Sequence, residues 1–239
     1  MAVAHSAQTV PVVVAAMVVW WALITAVIVG GAAMLTRPSG EPVDVYGVPN
    51  GLTALRAYLC LPLLLVALLS LPGRLALALW GACGGVVGLL DAADGWIARR
   101  FGPVTALGKA LDPFMDALFF ITAAIGSLSL RMMPLWLTAL ILFRYAAPVL
   151  ATPLVFLSGR RPELVHTLWG RRNTVLTGVV LFTLLLVRIA GGPVDVAALW
   201  AALPTLVPTM LLHFGALGER AAAAPVVRRE SSSEISGTV

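Results

Sequence analysis

Charge is scarce in this sequence. Only 11% of its 239 residues are Asp, Glu, Lys or Arg, against 60% hydrophobic, and the mean hydropathy is +0.97. That balance excludes a soluble globular surface, because too few polar side chains remain to cover one. Cysteine is nearly absent: Cys60 and Cys83 fall in different apolar stretches without CxxC or CxxH spacing, which argues against a disulfide framework and a zinc site. Histidine is as sparse, with His5, His166 and His213 scattered and none beside a ligand-like neighbour. No Lys or Arg precedes Arg37, so the first apolar stretch lacks the basic leader of a signal peptide, and at ~26 residues it outruns a signal's apolar region. It reads as a retained membrane helix.

What fills the chain is apolar runs of membrane-spanning length. Windows at 10–35, 52–71, 75–98, 105–128, 132–157, 174–190 and 196–217 each approach or exceed the ~20 residues that cross a bilayer as a helix. The fold class is therefore all-α and polytopic. Placing successive loops on alternate sides puts Arg37, Arg99, Arg100, Arg160, Arg161, Arg171, Arg172, Arg220, Arg228 and Arg229 on one face and only Arg74, Arg131 and Arg188 on the other. The positive-inside rule makes the first face cytoplasmic and the N-terminus external. The expected organisation is an N-terminal transmembrane helix (1–36), a Pro/Gly-broken cytoplasmic juxtamembrane segment (37–51), a six-helix core (52–218) and a disordered cytoplasmic tail (219–239). Arg56, Lys109 and Arg144 fall inside membrane windows and need anionic partners or a polar cavity.

Against this background four aspartates stand out: Asp91 and Asp94 in one apolar segment, Asp112 and Asp116 in the next. A carboxylate near the bilayer centre costs about 2.5–3.5 kcal/mol on insertion scales, so an unpaired set would cost roughly 10 kcal/mol. At helical spacing Asp91 and Asp94 share one face, and Asp112 and Asp116 another. Two carboxylate pairs near a common turn form a hard-oxygen claw suited to Mg²⁺ or Mn²⁺, one ion or two. Gly81, Gly85, Gly88, Ala92 and Gly95 recur at spacings of three and four, a small-residue stripe that plain helix packing explains up to Gly88. Gly95 and Ala98 lie beside the carboxylates, where a larger side chain would block whatever the metal holds.

The run Asp-x2-Asp-Gly-x2-Ala-Arg-x8-Gly-x3-Asp-x3-Asp, from Asp91 to Asp116, is similar without a gap to the signature of the CDP-alcohol phosphotransferases. Pro49-Asn50-x-x-Thr53-x-x-Arg56 resembles the opening of that family's first core helix. The resemblance covers roughly 45–218. It implies a core of six membrane helices with a cytosol-facing site in the cell membrane, and a homodimer. It further implies that Asp91, Asp94, Asp112 and Asp116 hold the ions and that Asp116 doubles as general base toward the acceptor hydroxyl. Gly95, Ala98 and Gly108 leave room for cytidine, Arg99 and Thr105 contact the nucleotide, and Asn50 and Thr53 border the donor site. The implied activity moves a substituted phosphate from a CDP-diacylglycerol-type donor to a small alcohol, releasing CMP. The partners are the bilayer and those substrates, with no nucleic acid.

For the acceptor, Arg144 within a membrane window and the loop arginines, Arg172 among them, suit an alcohol carrying its own phosphate. Leu111-Asp112-Pro113-x-x-Asp116 and Gly170-Arg171-Arg172-Asn173-Thr174 resemble, with departures at Met115, Ala117 and Asn173, stretches of the phosphatidylglycerophosphate synthases, whose acceptor is glycerol 3-phosphate. Inositol phosphate, phosphatidylglycerol and serine remain open as acceptors. A divalent-ion transporter is the reading from another class; no internal repeat is visible, and the acidic residues cluster at one depth. A catalytically dead scaffold is the third, and the intact aspartates oppose it.

Overall fold

The computed structural model describes residues 2–36, 41–43, 46–69, 73–101, 105–157 and 168–223, with side chains inside helices excepted at 2–8, 49, 91–99, 101, 106, 109–110, 152–157 and 221. These residues form eight α-helices: α1 (Ala2–Gly30), α2 (Gly47–Leu69), α3 (Arg74–Phe101), α4 (Ala106–Ser129), α5 (Leu135–Leu157), α6 (Leu168–Ala190), α7 (Val194–Ala202) and α8 (Leu206–Ala223). A short 3₁₀ turn, Ala32–Met34, follows α1. Among the described residues there is no strand, only an isolated bridge between Thr36 and Pro42. The stretches Thr9–Gly30, Asn50–Leu69, Leu111–Ser129 and Leu168–Ala190 are each long and apolar enough to cross a membrane, and α7 with α8 makes a fifth, bent span. Helices α3 and α5 contribute the shorter described apolar stretches Arg74–Leu90 and Leu135–Ala151. The protein is a multi-pass membrane protein, and large apolar side chains such as Val12, Leu89, Leu135, Phe182 and Trp200 face outward, as lipid contact requires.

Three windows differ from expectation in ways that have local causes. The stretch 196–217 is not one helix: α7 stops at Ala202, α8 starts at Leu206, and the two meet at 43°. Pro204 lies in the break, where its ring removes a backbone donor and clashes with the carbonyl four residues back. Helix α6 starts at Leu168 rather than at residue 174, so Arg171, Arg172 and Asn173 are helical. Hydropathy windows end at charges, whereas backbone hydrogen bonding continues through them. Helix α2 starts at Gly47, inside the expected juxtamembrane segment, with Pro49 in its first turn, a place where a missing N–H costs nothing. At the other end α8 runs to Ala223, past the expected boundary at 218; the rest of the tail, from 224, lies outside the described residues.

Packing divides into three clusters. Ala117, Phe120, Ala124, Leu137, Ile141, Tyr145, Val180, Leu184, Ala198 and Leu206 join α4, α5, α6, α7 and α8. Leu63, Ala67, Leu77, Trp80, Val87, Met132 and Leu185 join α2, α3 and α6. Ile24, Ala57, Leu107, Leu111 and Met115 join α1, α2 and α4. The glycines of α3 sort by position. Gly81 lies against the Leu185 side chain, where a Cβ would clash, whereas Gly84 and Gly85 face open space. Gly126 of α4 likewise takes the flat Trp80 indole against its backbone.

Candidate functional site

Helix α2 turns a polar row into the bundle. Asn50, Thr53 and Arg56, three residues apart along one face, are 5%, 3% and 2% exposed. Burying such groups in an apolar helix pair costs free energy unless each is satisfied, and α4 satisfies two of them. Asn50 Nδ2 donates to Thr105 Oγ1 at 3.1 Å and to the Tyr46 carbonyl at 2.6 Å. Thr105 caps α4, its hydroxyl accepting from the Gly108 N–H at 3.1 Å, as an N-cap residue does. A Cβ on Gly108 would stand 2.9 Å from Asn50 Oδ1 and 3.4 Å from Thr105 Oγ1. Glycine there keeps the Asn50–Thr105 pair and the first turn of α4 in close contact. Beside this corner the Tyr46 hydroxyl is buried, with no hydrogen-bond partner among the described residues. Burial first, and the neighbouring Tyr58 second, pushes its phenol above the usual value, so it stays neutral.

Further along the same interface, one guanidinium nitrogen of Arg56 lies 3.1 Å from Asp116 Oδ1, with side-chain exposures of 3% and 20%. The cation that the sequence demanded for Asp116 thus comes at least partly from α2, and Arg56 receives the anionic partner its membrane position required. Asp112, one turn earlier on the same face of α4, is exposed.

A second buried arginine lies on α5. Arg144 of α5 donates through Nε to Asn173 Oδ1 at 3.1 Å and through a terminal nitrogen to the Gly170 carbonyl at 3.4 Å, and its guanidinium lies 4.9 Å from the Tyr145 ring centroid. Asn173 is itself held, its amide donating to the Leu206 carbonyl at 3.1 Å and to Thr209 Oγ1 at 2.7 Å. The start of α8 therefore meets α6 here, its Leu206 carbonyl and Thr209 hydroxyl accepting from the Asn173 amide. Tyr145 stacks on Phe120 at 4.4 Å and 8° between ring planes. Phe120 is one turn beyond Asp116, so this stack brings Arg144 to the Asp116 side of α4, and the two charges interact across it.

The profile of one family, described as CDP-alcohol phosphatidyltransferase, matches residues 46–208, well over half of the chain. The chain belongs to the CDP-alcohol phosphatidyltransferase family. It is similar to a cardiolipin synthase (CMP-forming) of Streptomyces coelicolor, 33% identical over 34% of this chain and 38% of that one. It is also similar to a probable phosphatidylglycerophosphate synthase of Mycobacterium tuberculosis, 31% identical over 46% of this chain and 50% of that one. The chain thus matches between about a third and a half of the length of these curated relatives. No solved structure matches it.

Within this CDP-alcohol phosphatidyltransferase chain, the sequence-derived site residues divide sharply. Asn50, Thr105 and Gly108 meet at one end of the α2–α4 interface and Asp116 meets Arg56 farther along it, with Thr53 buried on α2 between them and Asp112 exposed on α4. Asp91, Asp94, Gly95, Ala98 and Arg99 lie on the last turns of α3, and their side chains, like that of Lys109, fall outside the described residues. Arg144 comes from α5 and lies beside Asn173. Arg172 is not part of that network; it is exposed and lies 5.0 Å from the Trp169 ring centroid. Asn173 carries no candidate role in the sequence, where it stands only as a departure from a basic residue, and Thr209 has no sequence signal at all. Among the described residues no group of three metal-ligating side chains gathers. The described half of the claw nevertheless has the donor chemistry of a divalent-cation site: Asp112 is an exposed carboxylate one turn from Asp116, whose Oδ1 accepts from a cation.

Proposed function

We propose that this protein transfers a substituted phosphate from a CDP-linked lipid, CDP-diacylglycerol, to an alcohol that carries its own phosphate, with glycerol 3-phosphate as the first candidate, releasing CMP. The observation that carries the reading is Asp116, held by Arg56 at 3.1 Å between the Asn50–Thr105–Gly108 corner and buried Arg144. Family membership and the names of the relatives support the reaction class. The face with most arginines supports a cytoplasmic opening, and a homodimer is the assembly we propose with it.

Residue by residue the roles follow from chemistry. Asn50, Thr53, Thr105 and Gly108, with Gly95, Ala98 and Arg99 of α3, form the nucleotide end of the donor site; the absent Cβ at Gly108 lets the Asn50–Thr105 pair close on the first turn of α4 there. Asp91, Asp94, Asp112 and Asp116 would hold Mg²⁺ or Mn²⁺, one ion or two, which when bound neutralises charge developing on the pyrophosphate. Asp116, held through Oδ1 by Arg56, takes the proton of the attacking hydroxyl. Arg144 binds the acceptor's phosphate, because Asn173 and Gly170 fix its fork without neutralising it. The acceptor oxygen attacks the phosphorus that bears the lipid, the bond to the CMP oxygen breaks, and CMP leaves with the electron pair.

The test is CMP release by the full-length protein with CDP-diacylglycerol and Mg²⁺, offering glycerol 3-phosphate, inositol phosphate, inositol, serine and phosphatidylglycerol separately. Release with glycerol 3-phosphate is expected. Release only with an unphosphorylated acceptor would remove Arg144 from its role, and none with any acceptor would remove the reaction itself.

A further inference from the structure

The family match begins at residue 46 and leaves α1 outside it, yet α1 is set directly against the residues that flank the candidate centre. One row of α1, Trp20, Ile24 and Ile28, continued by Leu35, packs into the seam between α2 and α4 with Ala57, Leu107, Leu111 and Met115. Ile24 is 4% exposed, while Val12, Val14, Val18 and Val29 of the same helix are 54–67% exposed. The contact is also fixed by hydrogen bonds. The Trp20 indole N–H donates to the Ala57 carbonyl at 2.9 Å, the Trp21 indole to the Tyr58 carbonyl at 3.3 Å, and the Thr25 and Tyr58 hydroxyls meet at 2.8 Å. Just past the helix end, a Cβ on Gly31 would stand 2.6 Å from Leu107 Cδ1, so this turn of chain lies flat against the first turn of α4.

The register of these contacts is specific. Leu107, Leu111 and Met115 immediately precede Gly108, Asp112 and Asp116, and Ala57 immediately follows Arg56. Adjacent helix positions are 100° apart, so a neighbour gripping one row sets the roll of the other. With side chains reaching 5–6 Å from a helix axis, a roll of roughly 15° displaces a carboxylate by about 1.5 Å. A misplacement of about 1 Å at reacting groups is enough to cost up to ~10²-fold in rate.

We infer that α1 is a positioning strut of the catalytic centre: its Trp20–Ile24–Ile28 row sets the roll of α4 against α2, and with it the placement of Asp112 and Asp116 opposite Arg56. The inference rests on the transferase reading above. It assigns a task to a helix outside the family match that membrane anchoring alone would not require.

The experiment compares full-length variants in one CMP-release assay with CDP-diacylglycerol, Mg²⁺ and glycerol 3-phosphate. Ile24→Ala is expected to lower kcat roughly tenfold with donor KM within about twofold, and Ile24→Leu to recover most of it. Trp20→Phe, which keeps the ring and loses the N–H, is expected to lower kcat about twofold to threefold and serves if Ile24→Ala does not fold. Leu184→Ala, in the α5–α6 core and equally buried, is the control: it lowers thermal stability without moving kcat. Thiol alkylation gives a readout independent of turnover. In a Cys83→Ser background, Cys60, buried on α2 with its thiol 3.3 Å from the Arg56 carbonyl, is expected to react several-fold faster in Ile24→Ala and unchanged in Leu184→Ala. If Ile24→Ala and Trp20→Phe lose stability but keep kcat and Cys60 protection, α1 is an anchor and the strut is refuted. If the unmodified protein releases no CMP, the transferase reading fails, and Cys60 protection alone then decides for or against the strut.

Discussion

Arg56 and Arg144 are both buried in apolar helices, yet the protein answers the two charges differently. Arg56 meets a carboxylate, Asp116, at 3.1 Å. Arg144 meets an amide oxygen, a backbone carbonyl and an aromatic face, and among the described residues no carboxylate pairs with it. The first arrangement cancels charge within the α2–α4 pair and fixes the carboxylate. The second gives the guanidinium only neutral direct partners, two acceptors and an aromatic face, and so keeps a positive charge in a low-dielectric place, where an anion gains most from it. One arginine is thus suited to hold a catalytic group, the other to hold a ligand.

The contrast is open to attack from both ends. Asp116→Asn keeps the shape of the Arg56 partner and removes the base, so CMP release should fall at least ~10³-fold while the protein remains folded and membrane-inserted; near-full activity would end the proposed role. Arg56→Ala leaves Asp116 without its guanidinium and should cost about 3 kcal/mol, the low end for a broken buried pair because Asp116 is 20% exposed. Thermal or denaturant unfolding in detergent reads that loss. Arg144→Ala should raise KM for a phosphorylated acceptor by roughly 10–100-fold, the value of a lost charge-assisted contact, with donor KM steady. An unchanged acceptor KM would make the two arginines alike after all. Gly108→Ala pushes a methyl to 2.9 Å from Asn50 Oδ1 and should raise donor KM several-fold, about 1 kcal/mol of lost fit. The smallest effect belongs to Arg172→Ala, expected within about twofold in every kinetic parameter, because that side chain sits exposed over Trp169.

Much of this arrangement was legible in the chain itself. The spacing from Asp91 to Asp116 named the family before any coordinates, and each of the seven apolar windows overlaps a helix, with ends off by up to eight residues and the last window split into α7 and α8. Pairing was not legible. Arg56 announced a need for an anion, but nothing in one dimension distinguishes Asp116 from three other aspartates. Pro204 was visible, yet inside an apolar window its break was masked by the hydropathy around it, and the first turn of α8 that follows the break is what holds Asn173. Asn173 itself read as a mere departure from a basic residue. Its value comes from Arg144, 29 positions away, and from Leu206 and Thr209 on another helix.

Local chemistry accounts for what the sequence determined alone. Apolar runs of spanning length dictate helices because the bilayer offers no water to an unbonded backbone, and carboxylates at three- and four-residue spacing must share a face whatever surrounds them. Tertiary structure decided which buried charge meets which. In a low-dielectric interior each polar group demands a partner, and only the roll and contact of helices distant in sequence determine whether a guanidinium finds a carboxylate, as Arg56 does, or is held by neutral acceptors, as Arg144 is.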